Sequence, residues 1–224
     1  MTPPRIALLG DLRDHVSHRE LDSLRMRLDA HTEWVPTDSG TDVTAFDGVW
    51  LVPGSPYADD AAVYAALRAV RRAGVPFLGT CGGLQYAAIS FLRDIAGVDA
   101  THEESDAVEG VDGHAVRTLA CDLHGEERPV TPVPGTRFAA LCPEPFAGVH
   151  HCGYGLTPGA VARLERHGVV VGATAPDAGA EVLEFPGAAF AMACLFQPHI
   201  GASRGEPVHP LIAAFRDAAA ARMP

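Results

Sequence analysis

Cys81 stands between an apolar stretch, Val75-Pro-Phe-Leu-Gly79, and the pair Gly82-Gly83 that opens a helix near Leu84. A cysteine at such a strand-to-helix turn is a candidate nucleophile. The turn thrusts the side chain out of the sheet, and the glycines accept its strain and let a substrate approach. The helix that follows aims amide N–H groups and partial positive charge at the sulfur, which favours the thiolate. A small buried cysteine at a tight turn would use the same residues, so the surrounding elements must decide between the two. The run His150-His151-Cys152-Gly-Tyr154, taken with His102, offers residue types that bind metals. Neighbours on a strand face opposite ways, however, and no paired ligand spacing accompanies them, so no metal site is expected. Cys152 reads as a wall of the pocket or a redox neighbour of Cys81, whereas Cys121, Cys142 and Cys194 read as core or inert.

The elements that must position Cys81 alternate regularly. Strands are predicted over Arg5–Gly10, Thr32–Val35, Gly48–Val52 and Val75–Thr80, and helices over Ser17–Ala30 and Ala61–Ala73. Near-continuous apolar strands separated by helices imply a parallel sheet covered on both faces. The loops at the carboxyl ends of its strands, 10–17, 53–60 and the elbow, should frame one crevice. Farther along, shorter strands are predicted at 113–121, 127–131, 146–151, 169–174, 180–185 and 189–196, with a helix near 159–167 and a last helix over Pro210–Arg222. Proline and glycine turns between these strands suggest that antiparallel pairs extend the sheet. A single domain over 1–224 is expected.

The chain carries a net charge of −11 and no basic cluster, which argues against a nucleic-acid partner. All 17 basic residues are arginine, so lysine Schiff-base chemistry is excluded. Met1-Thr-Pro-Pro-Arg5 leads directly into a strand, no apolar run has the length of a signal or membrane helix, and the five cysteines form no disulfide framework. A cytoplasmic protein with reduced thiols and no membrane association is expected. No glycine-rich phosphate loop with its lysine occurs, and Asp11 and Asp14 in the 10–17 loop are poor phosphate neighbours; no cofactor is expected.

Four segments, in order, resemble the class I glutamine amidotransferases, and above all the C-terminal glutaminase domain of CTP synthase and its stand-alone relatives. Arg5-Ile-Ala-Leu-Leu-Gly10 resembles the opening strand and Trp50-Leu-Val-Pro-Gly54-Ser-Pro-Tyr57 the V-P-G-G loop. Gly79-Thr-Cys81-Gly-Gly-Leu-Gln85 resembles G-x-C-x-G-x-Q, and Phe196-Gln-Pro-His199 with His209-Pro-Leu211 resembles F-H-P-E and H-P-L. The resemblance implies a flavodoxin-like doubly wound α/β sandwich with a mostly parallel central sheet and extra antiparallel strands in the second half. It also implies that Cys81 attacks a side-chain amide and passes through an oxyanion to a thioester. The amides at Gly54, Ser55 and Gly82 would receive that oxyanion, while Gln85 and Glu104 would grip the amino-acid end of the substrate, with Cys152 and Tyr154 nearby.

The departures from the family pattern bear on function. The family's catalytic histidine falls on Gln197 and its orienting glutamate on His199, while the arginine that would bind a glutamine α-carboxylate falls on Gly153. A neutral glutamine cannot act as a general base. Ordinary glutaminase activity is therefore not expected, and His199 is the first candidate for the missing base, His102 the second, and the run His150-His151-Cys152-Gly-Tyr154 the third. The expected function is a stand-alone cysteine-dependent enzyme acting on a small amide or related carbonyl or carbon–nitrogen bond, its substrate an amino acid or amide. A synthase partner and a homodimer both stay open. The alternatives are a catalytically weakened module that binds a metabolite or a synthase partner, and a thiol-dependent protective protein of the PfpI-like kind.

Overall fold

The computed structural model describes residues 2–106, 113–121 and 123–223. The first half builds β1 (Arg5–Leu9), α1 (Val16–Arg25), β2 (His31–Val35), β3 (Gly48–Leu51), α2 (Asp60–Ala73), β4 (Phe77–Thr80) and α3 (Gly82–Asp94). The second half adds β5 (Val116–Thr118), β6 (Glu126–Pro132), α4 (Arg137–Leu141), β7 (Phe146–His150), β8 (Tyr154–Leu156), α5 (Pro158–Arg166), β9 (Val170–Ala175), β10 (Gly179–Glu184), β11 (Ala191–Cys194) and α6 (Pro210–Arg222).

Nine strands form one sheet in the order β2-β1-β3-β4-β11-β10-β9-β6-β7. Pairing is parallel from β2 through β11 and antiparallel from there to β7. This is the doubly wound α/β arrangement expected, with the antiparallel strands added at one side. A separate ribbon pairs β5 with β8.

The alternation along β3 shows how the sheet acquires two cores. Val49 and Leu51 join the cluster that packs under α2, α3 and α5, while Trp50 joins the opposite cluster under α1, α4 and α6. Every residue of β3 and β4 is buried, as a strand covered by helices on both faces must be.

Three predicted boundaries shift for physical reasons. The first helix ends at Arg25, not Ala30, because Asp29 takes a left-handed φ of 52° and turns the chain into β2. The elbow helix begins at Gly82, two residues before Leu84. The segment 113–121 keeps only Val116–Thr118 as strand. The short α4 and β8 escape prediction because they span too few residues for periodicity to register.

Candidate active site

Cys81 occupies the link between β4 and α3 with φ 55° and ψ −114°. A left-handed φ is costly for a residue with a Cβ, by about 1–3 kcal/mol. The conformation is held from both sides: the Cys81 N–H donates to the Cys194 carbonyl of β11 at 2.8 Å, and the Cys81 carbonyl accepts the Leu84 N–H at 3.0 Å. The next two positions must be glycine for lack of room. A Cβ on Gly82 would lie 1.9 Å from the Gly54 carbonyl oxygen, and one on Gly83 would lie 2.4 Å from the Leu51 carbonyl oxygen. The elbow therefore packs directly against the backbone that continues from β3.

The sulfur faces a cavity of about 210 Å³ at the carboxyl ends of the parallel strands. Gly54 and Ser55 line it from the loop after β3, Gln197 from the chain beyond β11, and His151, Cys152 and Tyr154 from the β7–β8 connection. Glu104 and Gln85 complete the wall on the α3 side, so the expected substrate-binding positions, apart from Gly82 beneath the sulfur, share one concavity.

Gln197 is held at its amide oxygen: Oε1 accepts the Ser17 hydroxyl, and the side chain lines the cavity with Cys81, whose pKa it helps to lower. The Cys152 thiol donating to Cys81 is the strongest influence on that sulfur; with Gln197, the Gly82 N–H and the charge of His150, it outweighs burial and holds the Cys81 pKa below the usual thiol value. Cys152 shifts upward, because its proton is shared toward Cys81 and because it is itself buried.

Behind these groups lies a dyad that the sequence did not reveal. His150 Nε2 stands 3.0 and 3.1 Å from the two carboxylate oxygens of Glu181, and Nδ1 stands 2.9 Å from the Gly148 carbonyl oxygen. Both residues are fully buried. Burial disfavours a charged ring, but the hydrogen bonds and charge of Glu181 outweigh it and raise the His150 pKa. With an acceptor at each nitrogen, the surroundings of His150 favour the protonated ring, whose charge is felt at Cys81. Glu181 lies where the β9–β10 register skips a residue, between Ala180 paired to Thr174 and Val182 paired to Ala173. Such a bulge re-aims a side chain. The one signal available in the sequence was Glu181 standing among the apolar residues of 180–183.

Neither of the first two histidines expected to serve as base lines the cavity, whereas His151 of the third candidate run does. His102 is buried beside it, with Nε2 donating to Gln85 Oε1 at 3.0 Å and Nδ1 accepting the Glu104 N–H at 3.1 Å. It is a neutral tie between the elbow helix and the Glu104 loop, and burial lowers its pKa to about 4. Gln85 is likewise occupied at both ends, since its Nε2 donates to the Tyr154 carbonyl at 2.8 Å. His199 lies on the far face of the sheet, edge-on to Trp50 with ring centroids 5.8 Å apart. Burial lowers its pKa to about 3. Strand β11 ends at Cys194 and the chain turns through 198–200, so a two-residue step from Gln197 no longer preserves the face.

Other histidines do line the cavity. His18 is engaged at both nitrogens, by the Arg13 N–H at 2.9 Å and the Pro53 carbonyl at 2.7 Å. His15 caps α1 through Nδ1. His151 stacks edge-on against His15 with centroids 5.5 Å apart, and its own carbonyl lies 3.8 Å from the Cys81 sulfur. Burial lowers the pKa of His151, so its ring is neutral at pH 7. Glu104 accepts the Ser55 hydroxyl, which fixes the carboxylate at the cavity wall. Among the described residues no cluster of three or more histidine, cysteine or acidic side chains is arranged to hold a metal ion.

This fold and this elbow define a class. The family model for class I glutamine amidotransferases matches residues 8–180, and the chain belongs to that family. Among curated proteins it is 28% identical to the CTP synthase of Methanothrix thermoacetophila over 177 residues, covering 75% of this chain and 32% of the relative. It is 26% identical to the CTP synthase of Staphylococcus aureus over 213 residues, covering 85% of this chain and 38% of the relative. The chain thus spans about a third of the length of these relatives. The solved glutaminase domain of Trypanosoma brucei CTPS with bound acivicin superimposes with a TM-score of 0.80 at 19% identity, covering 97% of this chain and 94% of that one. A glutamine amidotransferase from Thermotoga maritima gives a TM-score of 0.63 at 12% identity, covering 90% of this chain and 78% of that one. Among the described residues no helix is long and apolar enough to cross a membrane.

Proposed function

We propose that the chain is a cysteine-dependent enzyme that cleaves a carbon–nitrogen bond of a small amide through a thioester on Cys81, and that free glutamine is a poor substrate. The observation that carries this reading is the Cys81 sulfur, aimed from a strained elbow into the cavity and surrounded by groups that favour its thiolate. The thiolate attacks the carbonyl carbon, forming a C–S bond and moving an electron pair onto oxygen. The amides at Gly82 and at Gly54–Ser55 are assigned to stabilise that charge. Collapse of the oxyanion breaks the C–N bond, and the departing nitrogen takes a proton. Water then hydrolyses the thioester and frees the Cys81 sulfur.

His151 is the cavity histidine assigned to proton transfer: its neutral ring takes the Cys81 thiol proton as the thiolate forms, gives it to the departing nitrogen, and takes a proton from water in the second half, returning it to the released sulfur. Gln197 serves as a donor to the thiolate, which turns the loss of the family's histidine into a change of role. The arginine that the family resemblance would place at position 153 is absent, but Arg13 and Glu104 both line the cavity, so a small amide bearing a complementary carboxylate or amine is the substrate class assigned.

The test is acylation of the full chain by a panel of activated amides and esters, with hydroxylamine release and acivicin as a covalent probe. The expected result is a stoichiometric adduct on Cys81 that Cys81→Ser abolishes. Absence of any acyl or acivicin adduct at neutral pH, with Cys81 accessible to iodoacetamide, would overturn it. A second reading, in which the chain serves a separate synthase partner, is supported by its matching only a third of each CTP synthase. In that case acylation rates would rise on adding the partner.

A further inference from the structure

The Cys81 and Cys152 side chains line one cavity, and the carbonyl of His151, the residue before Cys152, lies 3.8 Å from the Cys81 sulfur. Both are free thiols. No other cysteine of the described residues competes for this position: Cys142 and Cys194 belong to the core on the opposite face of the sheet, and Cys121 is exposed elsewhere. A wall residue needed only for shape would not have to present a second sulfur to a nucleophile.

We propose that Cys81 and Cys152 form a reversible disulfide when the protein meets a hydroperoxide, and that a small monothiol reopens it. The bond itself does not depend on the amide chemistry proposed above; if that chemistry is correct, the disulfide also withholds the Cys81 thiolate from it.

The steps balance without any further reagent. The Cys81 thiolate attacks one peroxide oxygen; an S–O bond forms, the O–O bond breaks, and the departing hydroxide takes a proton to become water. Cys81 is then a sulfenic acid, two electrons more oxidised. The Cys152 sulfur attacks the Cys81 sulfur and gives up its proton; the S–O bond breaks, and the leaving hydroxide with that proton makes a second water. Overall two thiols and one hydroperoxide give one disulfide and two molecules of water, or water and an alcohol from an alkyl hydroperoxide. Two molecules of a monothiol reverse the bond by exchange, through a mixed disulfide.

Three features suit this sequence. Cys81 is the more acidic of the two thiols and reacts first, as the thiolate is the reactive form. Once Cys81 is a neutral sulfenic acid, it no longer holds back ionisation of Cys152, whose upward shift comes first from its bond to the Cys81 sulfur. The sulfurs must close to about 2 Å, and Cys152 lies in the connection between β7 and β8, outside both strands. Gly153 follows it, and a glycine there leaves the backbone the conformational freedom that closing the two sulfurs requires.

The test treats the reduced full chain with hydrogen peroxide, blocks remaining thiols with iodoacetamide, and maps peptides without reduction. The expected result is loss of the Cys81 and Cys152 alkylation sites together, a cross-linked peptide pair joining them, and recovery of both sites on adding a monothiol. Cys152→Ser should divert Cys81 to a dimedone-reactive sulfenic acid and then to irreversible sulfinic acid, while Cys194→Ser should leave the cross-link intact. Should Cys152→Ser fail to fold, the peptide map of the unmodified sequence decides alone. The proposal is overturned if Cys81 passes to sulfinic acid while Cys152 remains alkylatable, or if the only disulfides join two molecules. A cross-link with no acylation of the reduced protein would sink the amide reading and keep this one.

Discussion

Lowering the pH from 7 to 5 should destabilise this fold far more than its carboxylates can explain. His102 and His199 are buried and His209 is partly buried; burial lowers their pKa values to about 4, 3 and 4, so all three rings are neutral at pH 7. In the unfolded chain each would titrate near 6.5. Because the folded value is the lower one, the unfolded state binds a proton first, and stability falls as pH drops through 6.5 toward the folded values. At pH 5 each ring contributes a loss of about 2 kcal/mol, and the three together about 6 kcal/mol, which is comparable with the whole stability of a typical domain. Two of them would also lose a hydrogen bond on protonation, since His102 Nδ1 accepts from Glu104 and His209 Nδ1 accepts from Leu211 at the start of α6. His150 works the other way, because its folded pKa is raised and its charged form is favoured in the native state, so it offsets part of the loss. The assay is urea unfolding at pH 7, 6 and 5, followed by tryptophan fluorescence, on the wild type and on His199→Leu. The wild type should lose several kcal/mol over this range. His199→Leu should lose about 2 kcal/mol less, and should still alkylate at Cys81 as readily as the wild type. Stability that is flat from pH 7 to 5, or a His199→Leu chain as acid-labile as its parent, would refute the view that these rings are structural and held neutral.

Glu181→Gln should release His150 from its charged state, shift the alkylation midpoint of Cys81 upward, and slow alkylation at pH 7 by roughly tenfold; an unchanged pH profile would show that the dyad does not act on the thiolate. Gly82→Ala, whose Cβ would collide with the Gly54 carbonyl oxygen, should cost about 1–3 kcal/mol in urea unfolding and abolish selective labelling of Cys81. Glutamine hydrolysis by the wild type should be absent or very slow, whereas Gln197→His combined with Gly153→Arg should produce measurable ammonia release; robust hydrolysis by the unaltered chain would contradict the roles assigned to both positions.

How much of this is legible in the sequence depends on the range over which the determining forces act. β1, β3 and β4 are readable because a strand buried on both faces must be apolar at every position, and α6 falls on the predicted Pro210–Arg222 because His209 and Pro210 mark its start. The elbow is readable for the same local reason: the residues that make the turn possible are adjacent to the cysteine. The Glu181–His150 pair is hidden because its members are 31 positions apart and meet only through a bulge, which no local pattern announces. Extending strand parity beyond Cys194 misplaces His199, because there the chain has already turned toward Trp50. The position that matters most, Gln197, is legible as a lost base but not as a residue with a task of its own. Its place depends on Ser17, 180 positions away in the chain, which holds the amide oxygen while the side chain lines the cavity that Cys81 faces. A glutamine so anchored cannot act as a base, yet it helps to lower the Cys81 pKa. Under the proposed function, the charge on Cys81 would rest on these fixed donors and on the Glu181–His150 pair, with proton transfer assigned to a different wall of the cavity.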